Sequence, residues 1–136
     1  MAFCNSLEEV RKFFSKDKFA TDAAMIVEEY GDKYAKCSFE IQPIHKNAMG
    51  SVMGGAIFTL ADFAFAVAAN WENPGTVSLN SNISFNGVAK GSRVIATAFC
   101  LKDGNSTCCY NIEVKDDLDN LVATVIINGF KKKGAK

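Results

Sequence analysis

Histidine is nearly missing from this chain, which has only His45, and neither charge is in excess, with fifteen Lys and Arg against fifteen Asp and Glu. A lone histidine supplies no ligand set for a metal. It also leaves a serine or cysteine nucleophile short of a base, and no G-x-S-x-G elbow is present. His45 itself reads as a loop residue with an ordinary structural hydrogen bond. Net neutrality argues against a nucleic-acid binder, which carries a basic stripe. The one basic run, Lys131-Lys132-Lys133, reads as a solvated tail, with a phosphate contact as the other reading. No apolar run reaches the roughly 20 residues of a membrane span. Met1-Ala2-Phe3-Cys4-Asn5 has none of the regions of a signal peptide. Five cysteines (4, 37, 100, 108 and 109) form neither an even set nor a C-x-x-C pair. Reduced thiols in a cytoplasmic protein are expected.

What is present fits one domain over residues 1–136, large enough to bury a core without metals or disulfides. Ser6 followed by Glu9 predicts a capped helix over 6–16, with Leu7, Val10, Phe13 and Phe14 on one face. A strand is predicted within 23–30, ending at Gly31-Asp32. In the next segment Ala35, Cys37, Phe39 and Ile41 alternate with Lys36, Ser38 and Glu40, the pattern of a half-buried antiparallel strand. Four more strands are predicted at 77–86, 92–102, 106–115 and 121–130. Their short connections predict sequential antiparallel neighbours. Asp116, Asp117 and Asp119 form an acidic turn. It lacks the glycine and terminal glutamate of an EF-hand calcium loop.

Residues 55–70 are apolar on every side of the predicted helix, which marks a buried helix. The expected architecture is α+β: a curved antiparallel sheet wrapped around that helix. Asp62 sits in the middle of it. Desolvating an unpartnered polar group costs on the order of 2–7 kcal/mol, and an ionised one more. Either Asp62 faces a solvent channel or caps a neighbouring backbone, or its burial tunes it as a general base. Gly54 and Gly55 open the helix, where unsatisfied amides and the helix dipole suit an anion or a developing oxyanion. A plain turn is the other reading of the pair. Eight residues separate Gly54 from Asp62, roughly 12 Å along a helix. If they act on one carbonyl, two antiparallel copies of the helix must lie side by side, which makes a homodimer.

The run His45-Lys46-Asn47-Ala48-Met49-Gly50-Ser51-Val52-Met53-Gly54-Gly55, followed by Phe58-Thr59-Leu60-Ala61-Asp62-Phe63-Ala64-Phe65-Ala66 and Asn70, resembles the hotdog-fold acyl-CoA thioesterases of the phenylacetic-acid-degradation (PaaI-like) type. With the strand order, the likeness extends over about residues 33–130. It implies that Asp62 is the catalytic acid, acting as general base or direct nucleophile on a thioester. It implies the Gly54 amide as oxyanion donor, Asn47 as a residue placing thioester or water, and Ser78 as a water-assisting serine. Asp62 and Ser78 would come from one subunit and Asn47 and Gly54 from its partner, in a homodimer or a homotetramer of two dimers. Met53 stands where the family has the histidine of a His-Gly-Gly triplet, a departure that bears on the pocket and not on the backbone donor.

Gly55, Met53 and Phe58 are the expected substrate-binding positions beside these. Phe58, Phe63 and Phe65 shape an aromatic pocket or serve as plain core. Lys90 and Arg93 hold coenzyme A phosphates or are solvated surface charge. Neither metal nor cofactor is expected beyond the coenzyme A of the substrate, and no membrane or nucleic-acid partner. A non-catalytic acyl-CoA-binding module of the same fold is the alternative. A dehydratase of that fold is a nearer rival than a serine hydrolase or a metal enzyme, but such dehydratases use a histidine with an acid and the central helix contributes Asp62 alone.

Overall fold

The computed structural model describes residues 2–132, so Lys133 of the basic run lies outside the described residues. Helix α1 spans Leu7–Phe14 and α2 Lys18–Asp22; strands β1 (Ile26–Gly31) and β2 (Tyr34–Glu40) follow. Next come the long helix α3 (Gly54–Asn70) and strands β3 (Thr76–Phe85), β4 (Arg93–Asp103), β5 (Thr107–Asp116) and β6 (Leu121–Lys131). The six strands form one antiparallel sheet in the order β1-β2-β4-β5-β6-β3.

Local chemistry sets the helix ends. Ser6 Oγ accepts the Glu9 N–H at 3.1 Å, while Glu9 Oε1 accepts the Asn5 N–H at 2.9 Å, so the expected capping box closes one residue early. At the far end of α3, Asn70 makes the turn into β3. Its amide donates to the Ala66 and Thr76 carbonyls, and its Oδ1 accepts the Gly75 and Thr76 N–H groups. Gly75 has φ 126°, a conformation that favours glycine, so the reversal fits in this short space.

The sheet's concave face supplies the core. Alternate residues of β2, β4, β5 and β6, among them Cys37, Phe39, Val94, Ile112, Val114, Val125 and Ile127, are buried against Leu60, Phe63, Phe65 and Val67 of α3. Each such side chain contributes about 1.5–3 kcal/mol relative to exposure. Cys108 points into this core and Cys109 away from it, as neighbours in a strand must.

Two expectations are corrected. β3 and β4 are not neighbours: β3 pairs with β6 at one edge, and β4 pairs with β2. The 86–92 segment is no hairpin turn. The Asn86 and Gly87 amides donate to Val122 O, and the Lys90 and Gly91 amides donate to Asp116, so the connection crosses the end of the sheet. Wrapping explains the order, because α3 carries the chain across the sheet between β2 and the far edge. Secondly, α3 is not covered on every side. Its Gly55, Phe58, Thr59, Asp62 and Ala66 stripe remains exposed or half-buried, because one curved sheet covers only one side of a cylinder.

The acidic turn is a clamp. Asp116 is 2% exposed, and its carboxylate accepts five hydrogen bonds: from the amides of Lys90, Gly91, Leu118 and Asn120 and from the Asn120 side chain. Burial pushes its pKa up, but these donors outweigh burial and hold it well below the ordinary carboxylate range. Asp117 likewise accepts from the Ser92 hydroxyl and from the Ser92 and Arg93 amides. Asp116→Ala is therefore expected to destabilise the protein by on the order of 3 kcal/mol, since it strands several buried N–H groups. Thermal melts at neutral pH check this. In the native chain the contribution is complete above the ordinary aspartate range and is lost as pH falls through the folded-state value. The difference between variant and native chain should shrink in acid.

Candidate active site at the uncovered face of helix α3

Met53, extended at φ −74° and ψ 150°, precedes the first turn of α3 and offers no side-chain cap. Its carbonyl takes the amides of Ala56 and Ile57, which leaves the Gly54 and Gly55 N–H groups without an acceptor among the described residues. These are free donors at the positive end of a 17-residue helix. A Cβ on Gly54 would stand 3.0 Å from Cζ of Phe85 at the end of β3, so any larger residue would push against the ring that lies over the helix start.

The loop before the helix is held from two sides. Asn47 Oδ1 accepts the Met49 and Ser51 amides at 3.0 and 3.1 Å, closing a turn that returns the chain towards Gly54. That oxygen is engaged, and the exposed side chain has its NH2 group to offer. His45 is 1% exposed: its Nδ1 accepts the Gln42 amide at 3.0 Å, so Nε2 carries the hydrogen and donates to Ala23 O at 2.7 Å. With both nitrogens engaged, His45 anchors the loop, and Met53 donates its amide to the His45 carbonyl at 2.8 Å.

Asp62 lies half-buried in the uncovered stripe two turns beyond Gly54. Burial raises its pKa, and the charge of Asp17 raises it further. The two acids share a cavity of about 410 Å³ with Lys18, Phe19, Phe58 and Phe63. α3 is one unbroken helix, so Gly54 and Asp62 of one chain are roughly 12 Å apart along its axis. The structure does not bring them together within a chain. Ser78 is exposed on β3 and pairs with Gly129, against which the Phe65 ring would crowd any added Cβ at 3.0 Å; Phe65 is three residues beyond Asp62. Phe58 is half-buried at the cavity, whereas Phe63 and Phe65 are core, with Phe65 edge-on to Tyr110 at 5.4 Å between ring centroids.

Lys90 and Arg93 part company. Arg93 is held by Glu28 at 2.5 Å and by Ser38, on the far face of the sheet. The Lys90 side chain is exposed and makes no ion pair among the described residues. Three residues near the site were not anticipated. Phe85 needed the knowledge that β3 ends beside the start of α3. Asp17 precedes α2 and Phe19 belongs to it, a single turn whose one local signal is an aspartate ahead of Lys-Phe-Ala. Among the described residues, no group of three or more His, Cys, Asp or Glu side chains could hold a metal ion, and no helix is long and apolar enough to cross a membrane.

The model of the thioesterase superfamily matches residues 49–123, the stretch from the Asn47 turn to the start of β6 and more than half of the chain. A protein of Archaeoglobus fulgidus named "Putative esterase" is 32% identical over 119 residues, covering 86% of this chain and 77% of that one. The structure superposes on the E. coli PaaI protein from the phenylacetic acid degradation operon with a TM-score of 0.85 and 24% identity, covering 91% of both chains. It also superposes on a hypothetical thioesterase from Streptococcus pneumoniae solved with coenzyme A, with a TM-score of 0.81 and 20% identity, covering 89% of this chain and 95% of that one. With its α+β sheet wrapped on a central helix, the chain belongs to the thioesterase superfamily and is a thioester hydrolase of the hotdog fold.

Proposed function

We propose that this protein hydrolyses an acyl- or aryl-CoA thioester to the free acid and coenzyme A, at a site shared between two copies of the chain. One observation carries this reading: the half-buried Asp62 carboxylate lies on the one stripe of α3 that its own sheet leaves uncovered, and the free Gly54 amide stands at the helix start where that stripe begins. A second α3 laid antiparallel on that stripe would put the Gly54 of one copy opposite the Asp62 of the other. β3 supports the same pairing. It is a ten-residue edge strand, TVSLNSNISF, with no proline and no charge to protect it, and it exposes Val77, Leu79 and Phe85.

In this reading the thioester oxygen accepts the Gly54 N–H of one subunit. Asp62 of the other takes a proton from water as it adds to the carbonyl carbon, or attacks that carbon itself. The C–S bond then breaks, and the thiolate of coenzyme A leaves and is protonated; on the route of direct attack, water then hydrolyses the acyl–Asp62 anhydride, which frees the acid and restores the carboxylate. Asn47 donates its amide to thioester or water, and Ser78 stands on the Asp62 side. The acyl group enters beside Phe58, with Gly55 and Met53 at the mouth, and Lys90 meets the phosphates; Arg93, committed to Glu28, does not. The steps use only water and these groups, and the five free thiols suit the cytoplasm. Release of free coenzyme A thiol from a panel of acyl and aryl thioesters tests the proposal. Turnover identifies the substrate class. Tight binding of thioesters with no release would mean an acyl-CoA-binding module instead.

A further inference from the structure

The N-terminal segment, which the family match does not include, supplies one wall of the cavity that Asp62 opens into. Asp17 stands at the start of α2, where an aspartate ordinarily accepts the N–H of the second or third helical residue. Here its side chain makes no such bond, and no donor reaches its carboxylate among the described residues. Its position instead turns it to the cavity shared with Asp62, Phe58 and Phe63.

We propose that Asp17 is a positioning residue for the reaction at Asp62: its charge, set across the shared cavity, governs the pH range over which Asp62 works. The inference rests on the reading of Asp62 as the reacting carboxylate. The titratable groups lining the cavity are Asp17 and Lys18 from the start of α2 and Asp62 from α3; the sheet contributes none. Burial raises both carboxyls, and repulsion from Asp17 raises Asp62 further. Asp17 is the more exposed of the two, so it ionises first and the repulsion falls on Asp62. Two consequences follow for a carboxylate that must be ionised to act. It is a stronger base at neutral pH, and it switches off at a higher pH than an isolated aspartate.

The experiment is the pH profile of kcat/KM for the full chain and four variants on one hydrolysed thioester. Asp17→Asn should move the acidic limb to lower pH, raising activity at pH 5 relative to pH 8 about threefold at low salt. Asp17→Glu should keep the limb of the native chain. Lys18→Gln, which removes the cation at the cavity, should move it the opposite way. If Asp17→Asn folds poorly, Lys18→Gln still reports: with that cation gone, raising the salt screens Asp17 and should shift the limb downward. A limb that stays fixed in Asp17→Asn, or under salt where that variant cannot be used, overturns the proposal. A merely structural Asp17 would change the melting temperature and leave the limb in place. Asp62→Asn separates the two ideas: full activity there removes the Asp62 reading and this inference with it, whereas an inactive Asp62→Asn beside an unmoved limb removes only the role of Asp17.

Discussion

Asp62→Asn should lower kcat by about 10²- to 10⁴-fold while leaving thioester binding nearly intact, because the variant keeps the shape of the side chain and removes only its ability to take a proton or attack. Steady-state coenzyme A release together with equilibrium binding of a non-hydrolysable thioether analogue checks both halves. The same substitution should make the protein more stable at neutral pH. The folded-state pKa of Asp62 lies above its ordinary value, through burial first and then Asp17, so the ionised side chain opposes folding. That penalty is complete at pH values above the raised pKa and disappears as pH falls to the ordinary aspartate range. The melting temperature of Asp62→Asn should therefore exceed that of the native chain at pH 7, and the two should converge in acid. A loss of stability at pH 7 would mean that the carboxylate holds a structural hydrogen bond. The structure gives it none among the described residues. A site that works against the fold is the usual mark of stability exchanged for function.

The second large effect is expected from mixing two inactive chains. Gly54→Val places a branched side chain against the Phe85 ring and in front of the free amide, so it should be inactive, as Asp62→Asn is. A heterodimer of the two holds one site with an intact Gly54 from one chain and an intact Asp62 from the other, and a second site with neither. Co-refolding equal amounts should therefore restore about a quarter of native activity, as random pairing in a two-fold dimer dictates. If Gly54 and Asp62 act within one chain, no mixture can recover. The unbroken helix between them predicts recovery, since roughly 12 Å of helical rise is far beyond the reach of one carbonyl. The oligomeric state measured by light scattering on the same samples shows whether recovery needs a dimer, and whether two dimers assemble further.

Element positions were legible because the side-chain periods are. The alternation from Ala35 to Ile41 places β2 within a residue at either end, and the apolar run from Gly55 to Asn70 places α3. α2 was not legible, since five residues are too few to show a helical period. Nor was the position of β3. Its residues, as polar as Asn80, Ser81 and Asn82, mark a strand without saying which neighbour it pairs with, and the strand order depends on where α3 delivers the chain. Of the site, Gly54 and Asp62 stood out as a free helix start and a misplaced acid, whereas Asn47 entered only through the family resemblance. Arg93 did not reveal its commitment to Glu28, a residue 65 positions away whose contact exists only once β1, β2 and β4 lie side by side.

By itself the sequence determined what depends on neighbours along the chain: which stretches are strand or helix, that an acid stands in an apolar helix, and that the helix begins with two free amides. Those properties follow from side-chain periodicity and from backbone groups that no local partner satisfies. Only the tertiary structure decided that α3 is covered on one side, that β3 is an unprotected edge, and that Asp17 and Asp62 open into one cavity. Such features depend on which distant surfaces meet. Burial and electrostatic fields are set by everything within several ångströms, whatever its distance in the chain.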